Sequence, residues 1–386
     1  MKKKICFKRS TKLLCVLAAG LFLLSACGKI KESKNGVPAP MESDEAGSDF
    51  EYQHVAESER GYYFWECRCE DHPEPRLMFM DKESGRVVPL CNKPDCMHDG
   101  NECNACFPDL DFDKNGIDKH YLQYYEGNLY AVGLSQDQYV ALFRIKEDGS
   151  EWEISVKLYR TDYMATGHWK SPEILIHDGY VYVVDQKQEI MKLERVPISG
   201  GTIEVLFEGD DDTEEVEVYR IKGRDGNVFF QALIFSDESI EHVRGGLYQF
   251  DVEAGECSLI RPNLIGPYSV KNDIVYYGNE EGLCRYSIKE EIMEVLADRS
   301  MVVPNIVLTK ENIILYDQMG NCDLIAYNYE GVEIFNFLSD VKPMRLFGGN
   351  ANMLFGEGTD EGGRSLFFLD LNRPVTELQW EELKEN

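Results

Sequence analysis

An all-β fold, a single seven-bladed β-propeller, is the architecture this sequence predicts. Two observations carry that expectation. From residue 51 onward, β-branched and aromatic residues alternate with polar ones in runs of four to seven, broken by Gly, Asn, Asp and Pro. Such runs between turn residues form strands, and almost no stretch holds a helical period. The second observation is that these runs return in a fixed order seven times.

Each unit opens with a turn leading into an aromatic strand, as in Gly61-Tyr-Tyr-Phe64, Gly127-Asn-Leu-Tyr130, Gly179-Tyr-Val-Tyr182 and Gly226-Asn-Val-Phe229. Weaker copies begin at Asp273, Asn312 and Asn352. A strand opened by Leu follows at Leu77, Leu142, Leu193, Leu247, Leu283, Leu324 and Leu366, with spacings of 65, 51, 54, 36, 41 and 42 residues. A Gly-containing turn such as Glu83-Ser-Gly85 or Glu147-Asp-Gly149 then leads into a further apolar strand. Four short strands repeated at about 40 to 50 residues, with extremes of 36 and 65, suit propeller blades, because one such sheet cannot bury both faces alone but a ring of them can. A chain of 386 residues also exceeds what one compact core organises, which independently favours repeats or two domains. The repeats place the propeller at 51–380, with strands near Tyr52 and Val375 as alternative ways of completing the terminal blades.

The first 26 residues read differently. Lys2, Lys3, Lys4, Lys8, Arg9 and Lys12 precede an apolar run from Leu13 to Leu24. The run is short for a membrane span and ends in small residues, which fits a cleaved secretory signal. Residues 28–50 are small and charged, with too few apolar groups to offset chain entropy, and read as a flexible tether. The chain carries 40 Lys+Arg against 69 Asp+Glu, a net charge of −29. Six of the basic residues and none of the acidic ones lie ahead of Cys27, so the body is more acidic still. Such a surface repels nucleic acid and excludes it as a partner.

Leu24-Ser-Ala-Cys27 resembles the lipobox of bacterial lipoproteins. That resemblance implies cleavage before Cys27, lipidation of Cys27, and a body held at the cell membrane and facing outside the cytoplasm. Together with the Leu-led repeats, the chain resembles bacterial propeller lipoproteins of the domain-of-unknown-function type, which are distantly similar to TolB-type propellers. The resemblance covers about residues 50 to 380 and implies a fold and an address. It implies no activity, since propellers host many.

The longest spacing between Leu-led strands contains an insertion, 91–118, with four Cys and one His in sixteen residues: Cys91, Cys96, His98, Cys103 and Cys106. Two readings stay open. Three thiolates and an imidazole suit a structural zinc ion, with Cys91, Cys96, His98 and Cys103 as ligands and Cys106 as a substitute. Alternatively, export to an oxidising compartment pairs the thiols as disulfides, with three pairings possible among four Cys. Cys67 and Cys69, two apart on a strand, face the same side and could join either arrangement. Similar Cys-x4-Cys-x-His-x4-Cys segments recur in the lipoproteins this chain resembles, where the position matching Cys106 is less regular. Cys257, Cys284 and Cys322 stand alone and read as small buried hydrophobes.

Weaker signals accompany the insertion. Asp111, Asp113 and Asn115 with Gly116 match the first half of a calcium loop. The twelfth position holds Leu122 where a bidentate Glu belongs, and a solvated acidic turn is the competing account. The run 208–215 is a solvated acidic loop. Tyr124, Tyr125, Tyr163 and Trp169 lie in connections around the second blade as candidate ligand-contact aromatics, with core packing as the alternative. No phosphate-binding Gly loop and no Gly-x-Ser-x-Gly elbow occurs. The expected function is a membrane-anchored module binding a protein or glycan. The alternatives are a polysaccharide-active hydrolase or lyase on the same scaffold, and an accessory subunit of an envelope complex.

Overall fold

The computed structural model describes residues 55–66, 76–98, 102–107, 115–161, 172–185, 191–209, 215–235, 243–298, 305–316, 324–337, 345–349, 352–360, 363–374 and 377–383. The signal, Cys27, the tether, Cys67, Cys69 and Cys322 lie outside them. The described residues form seven four-stranded antiparallel sheets, each built from four consecutive strands hydrogen-bonded in chain order. They are the blades of a β-propeller. The aromatic strand of each repeat is the second strand of its blade, and the Leu-led strand is the third.

The core lies between blades rather than within them. In Gly61–Glu66, the second strand of blade one, Tyr62 and Phe64 join a cluster with Met353 and Phe355 of blade seven. Tyr63 and Trp65 join a cluster with Leu129 and Phe143 of blade two. Successive side chains on a strand point to opposite faces, and here both faces are covered, so the strand reads as an unbroken apolar run. Similar clusters join blades two and three, three and four, four to six and six and seven.

The first strands of adjacent blades meet around the ring. Val55–Glu57 contacts both Gly116–Tyr125 of blade two and Arg345–Gly349 of blade seven. The ring therefore closes by packing, with each terminal blade complete from its own strands: Val55–Glu57 is the first strand of blade one and Glu381–Glu382 the fourth of blade seven. Among the described residues, no strand is shared between the ends.

Local sequence explains the hairpins. The first and second strands of blades two to five are joined by two residues, Glu126-Gly127, Asp178-Gly179, Asp225-Gly226 and Asn272-Asp273, all with positive φ. Those are the dihedrals of a type I′ turn, which matches the right-handed twist of the flanking strands. On the outer strands, Arg144, Arg195 and Arg285 of the Leu-led strands pair with Glu153, Glu204 and Glu294, each nine residues on. Such exposed pairs are worth under about 1 kcal/mol each, and they mark the repeat more than they hold it. Cys284 is buried as expected, whereas Cys257 is exposed on Glu256–Pro262, the fourth strand of blade four. The outermost strand leaves one side open to solvent, so a lone Cys there has no core to enter.

Buried polar side chains latch neighbouring blades. Gln123 donates from Nε2 to the Ile176 carbonyl at 2.7 Å and accepts the Ile176 N–H at 2.9 Å. Lys222 and Arg224 of blade four donate to the carbonyls of Tyr268 and Val270 in blade five. Lys271 donates to the Thr309 carbonyl of blade six.

Candidate metal centre

The Cys-rich loop leaves blade one after its fourth strand, Val87–Pro89, which is only three residues long. Both ends of the loop are tied to one residue. Leu77 accepts the Leu90 N–H at 2.8 Å and donates its own N–H to the Ala105 carbonyl at 2.8 Å. Arg76 and Cys106 form an antiparallel bridge alongside. Residues 90–105 therefore start and finish on the same point of a central strand, and the loop's length closes on a rigid base.

Apolar side chains seat these roots. Leu90, Ala105 and Phe107 are buried. The Phe107 ring lies edge-on to Trp65 at 5.4 Å and to Trp152 of blade two at 5.7 Å, an arrangement aromatic pairs favour. Blade two approaches closely as well: a Cβ on Gly149 would stand 2.2 Å from the Leu90 carbonyl oxygen, and Gly149 has φ +69. Gly149→Ala therefore meets both a clash and an unfavourable backbone conformation. It is expected to destabilise the protein by about 1–3 kcal/mol, read as a lower urea midpoint. An unchanged midpoint would show that the loop root is not seated against blade two.

The loop gathers four donors. One atom each of Cys91, Cys96, His98 and Cys103 lies within 4.8 Å of the others, and among the described residues this is the group that could hold a metal ion. His98 Nδ1 is 3.3 Å from Cys103 Sγ, and His98 has φ +57, a conformation that non-Gly residues seldom hold and that concentrates at functional sites. Main-chain donors point at the sulfurs. Ala105 N–H reaches Cys103 Sγ at 3.3 Å, and the N–H groups of Lys93 and Asn104 reach Cys91. Two of these three donors sit two residues after the Cys they serve, so the same local turn is used on both arms. The Asn104 amide donates to Asn92 Oδ1 at 2.8 Å, and Lys93 Nζ donates to the Glu102 carbonyl, binding the arms together.

These contacts set the thiols apart. Burial acts to raise Cys91, but the Lys93 and Asn104 N–H groups, with Cys103 and Cys96, hold it below the usual thiol range. Burial pushes Cys103 up to about 12, and the sulfurs of Cys96 and Cys91 add to the rise against the Ala105 N–H. The cluster thus stores a proton on its buried sulfur, which a cation would displace on binding. Three sulfurs and one imidazole form the donor set of a structural zinc site, with metal–sulfur bonds of about 2.3 Å and hence sulfurs about 3.8 Å apart. The observed 4.8 Å envelope closes to that with shifts of about 1 Å. All four positions are filled by protein, which leaves none for substrate.

The other predicted site residues are placed less informatively. Cys106 lies outside the four-donor group. Asn115 Oδ1 accepts the Gln136 N–H at 2.9 Å, while Asp111 and Asp113 lie outside the described residues. Tyr124 stacks on Tyr63 of blade one, with centroids 6.2 Å apart. Tyr125 Oη accepts the Gly179 N–H of blade three at 2.8 Å. Both are half-buried between blades. Tyr163 and Trp169 lie outside the described residues.

No protein-family model matches the sequence, and no curated protein matches it. The fold is widely matched among solved structures. A puromycin-hydrolyzing peptidase of Mycobacterium tuberculosis is similar over 90% of this chain and 55% of its own, with a TM-score of 0.54 and 11% identity. A prolyl endopeptidase is similar over 86% of this chain and 50% of its own, with a TM-score of 0.52 and 11% identity. BamB of Moraxella catarrhalis is similar over 81% of each chain, with a TM-score of 0.42 and 11% identity. The chain thus spans about half the length of the peptidases it matches, and at these identities the likeness is one of fold: the chain is a seven-bladed β-propeller.

Proposed function

We propose that this chain is a lipid-anchored, extracytoplasmic propeller that binds a protein or glycan and carries a structural zinc ion in its first connection. The observation supporting the ion is the gathering of Cys91, Cys96, His98 and Cys103 within 4.8 Å on a loop with both ends on Leu77. A fully protein-ligated ion orders a loop that has little core of its own. That suits a scaffold presenting a fixed surface, because binding residues sit preferentially on loops positioned by rigid elements. The anchor rests on the lipobox at Cys27, and the acidic body favours tethering by lipid over attraction to anionic headgroups.

The zinc is tested by elemental analysis of the detergent-solubilised full chain beside a thiol count after denaturation. About one zinc per chain with all thiols titrating is expected. No metal together with four missing thiols would replace the ion with two disulfides. The anchor is tested by cell fractionation and fatty-acid labelling. The wild type is expected to be labelled and to sediment with membranes, and Cys27→Ser to be unlabelled and no longer processed. A labelled variant would overturn the assignment.

A further inference from the structure

Four of the five Cys and His donors in the loop belong to the cluster, and Cys106 is left over. Its position is not arbitrary. The Cys106 N–H donates to the Cys103 carbonyl at 3.1 Å, an i to i+3 bond that closes a four-residue turn and keeps its end Cα atoms within about 7 Å. A disulfide requires Cα atoms roughly 4.4–6.8 Å apart. The turn therefore holds Cys103 and Cys106 in bridging range, and the Arg76–Cys106 bridge and the Leu77–Ala105 bond hold that turn against the strand. The two sulfurs also differ in access. Cys103 is 4% exposed, whereas Cys106 is half-buried and outside the set that an ion would occupy.

We propose that Cys103 and Cys106 form a thiol–disulfide pair that discharges the metal site when the protein meets a small-molecule disulfide. The proposal rests on the zinc reading for its consequence, though not for the bond itself. Cys106, the thiol no ion would mask, gives up its proton and attacks one sulfur of the oxidant. A mixed disulfide forms, and one oxidant thiolate leaves with that proton. The Cys103 sulfur then attacks Cys106 Sγ, and the second oxidant thiolate leaves. Two protein thiolates have lost two electrons, and the oxidant's S–S bond has been reduced by two. Cys91, Cys96 and His98 remain as three donors, too few for a closed tetrahedral site. The loop roots keep their backbone bonds to Leu77, so discharge changes the outer arm around Cys91 to His98 without opening the blade.

The test exposes the reduced, detergent-solubilised full chain to oxidised glutathione and follows zinc release with a chromogenic chelator, with disulfides mapped by mass spectrometry. Zinc release in step with a Cys103–Cys106 bond is expected. Cys106→Ser should bind one zinc under reducing conditions and release it at least about tenfold more slowly, because the unmasked nucleophile is gone. Release at the wild-type rate from Cys106→Ser, or a map showing Cys91–Cys96 formed first, would overturn the proposal. A reduced wild type without zinc would refute the metal reading alone, and the map would still report whether Cys103 and Cys106 pair.

Discussion

Cys103→Ser is expected to abolish zinc binding and to lower the stability of the chain by several kcal/mol. Cys103 is the most enclosed of the four donors, and it touches the His98 ring and receives the Ala105 N–H. Serine nearly preserves its volume, so packing of the loop root changes little and the loss falls on metal binding. An ion that binds only the folded chain, present at about 1,000 times its dissociation constant, stabilises it by about 4 kcal/mol. Urea unfolding followed with and without a strong chelator separates the contributions. The wild type should fall by about that amount when chelator is added, whereas the variant should start low and ignore the chelator. A wild type indifferent to chelator, or a variant retaining one equivalent of zinc, would rule the site out as a stabilising element. Hydrogen exchange should locate the change in residues 90–105, because the blades keep their ladders when the outer arm loosens.

Much of this fold was legible in the sequence because propellers repeat one solution. Leu77, Leu142, Leu193, Leu247, Leu283 and Leu324 are buried in third strands, and Leu366 is half-buried in its own. Each repeat independently samples the same environment, so a weak local signal becomes strong when it returns seven times. The Gly and Asp turns were visible for the same reason: a positive φ needs particular residues. The closure of the ring was not legible. Val55–Glu57 is three residues long and carries no aromatic or Leu marker, and it is a strand because Tyr62 to Phe64 pair with it.

The candidate site was half legible. The Cys and His spacing announced a cluster, but not its chemistry. What the spacing left out is main-chain geometry: the N–H groups at Lys93, Asn104 and Ala105 aimed at sulfur, and His98 in a left-handed conformation. Side-chain identity at these positions carries none of that, since a backbone donor belongs to every residue except Pro. The tie of Leu90 and Ala105 to Leu77 is likewise a long-range pairing with no local mark.

Gln123→Leu is expected to cost about 3–5 kcal/mol, a loss on the scale of removing the ion although nothing in the sequence distinguishes this Gln. Its side chain is 5% exposed and occupies the place of a strand partner between blades two and three, donating to the Ile176 carbonyl and accepting the Ile176 N–H. It also accepts from Tyr121 Oη at 2.5 Å. Leu fills nearly the same volume but removes the amide's bonds to the Ile176 carbonyl, the Ile176 N–H and Tyr121 Oη where water is scarce, and each buried group left without a partner costs about 1–3 kcal/mol. Tyr121→Phe removes one of the same bonds while leaving Ile176 satisfied, so it should cost only about 1 kcal/mol. The comparison separates a packing defect from a lost latch. If both variants shift the urea midpoint equally, the Ile176 bonds contribute nothing and apolar packing alone joins these blades. If Gln123→Leu is several-fold worse, then the apolar clusters hold each pair of blades together while the buried amide fixes their register, because Ile176 offers its N–H and carbonyl at one position along the strand.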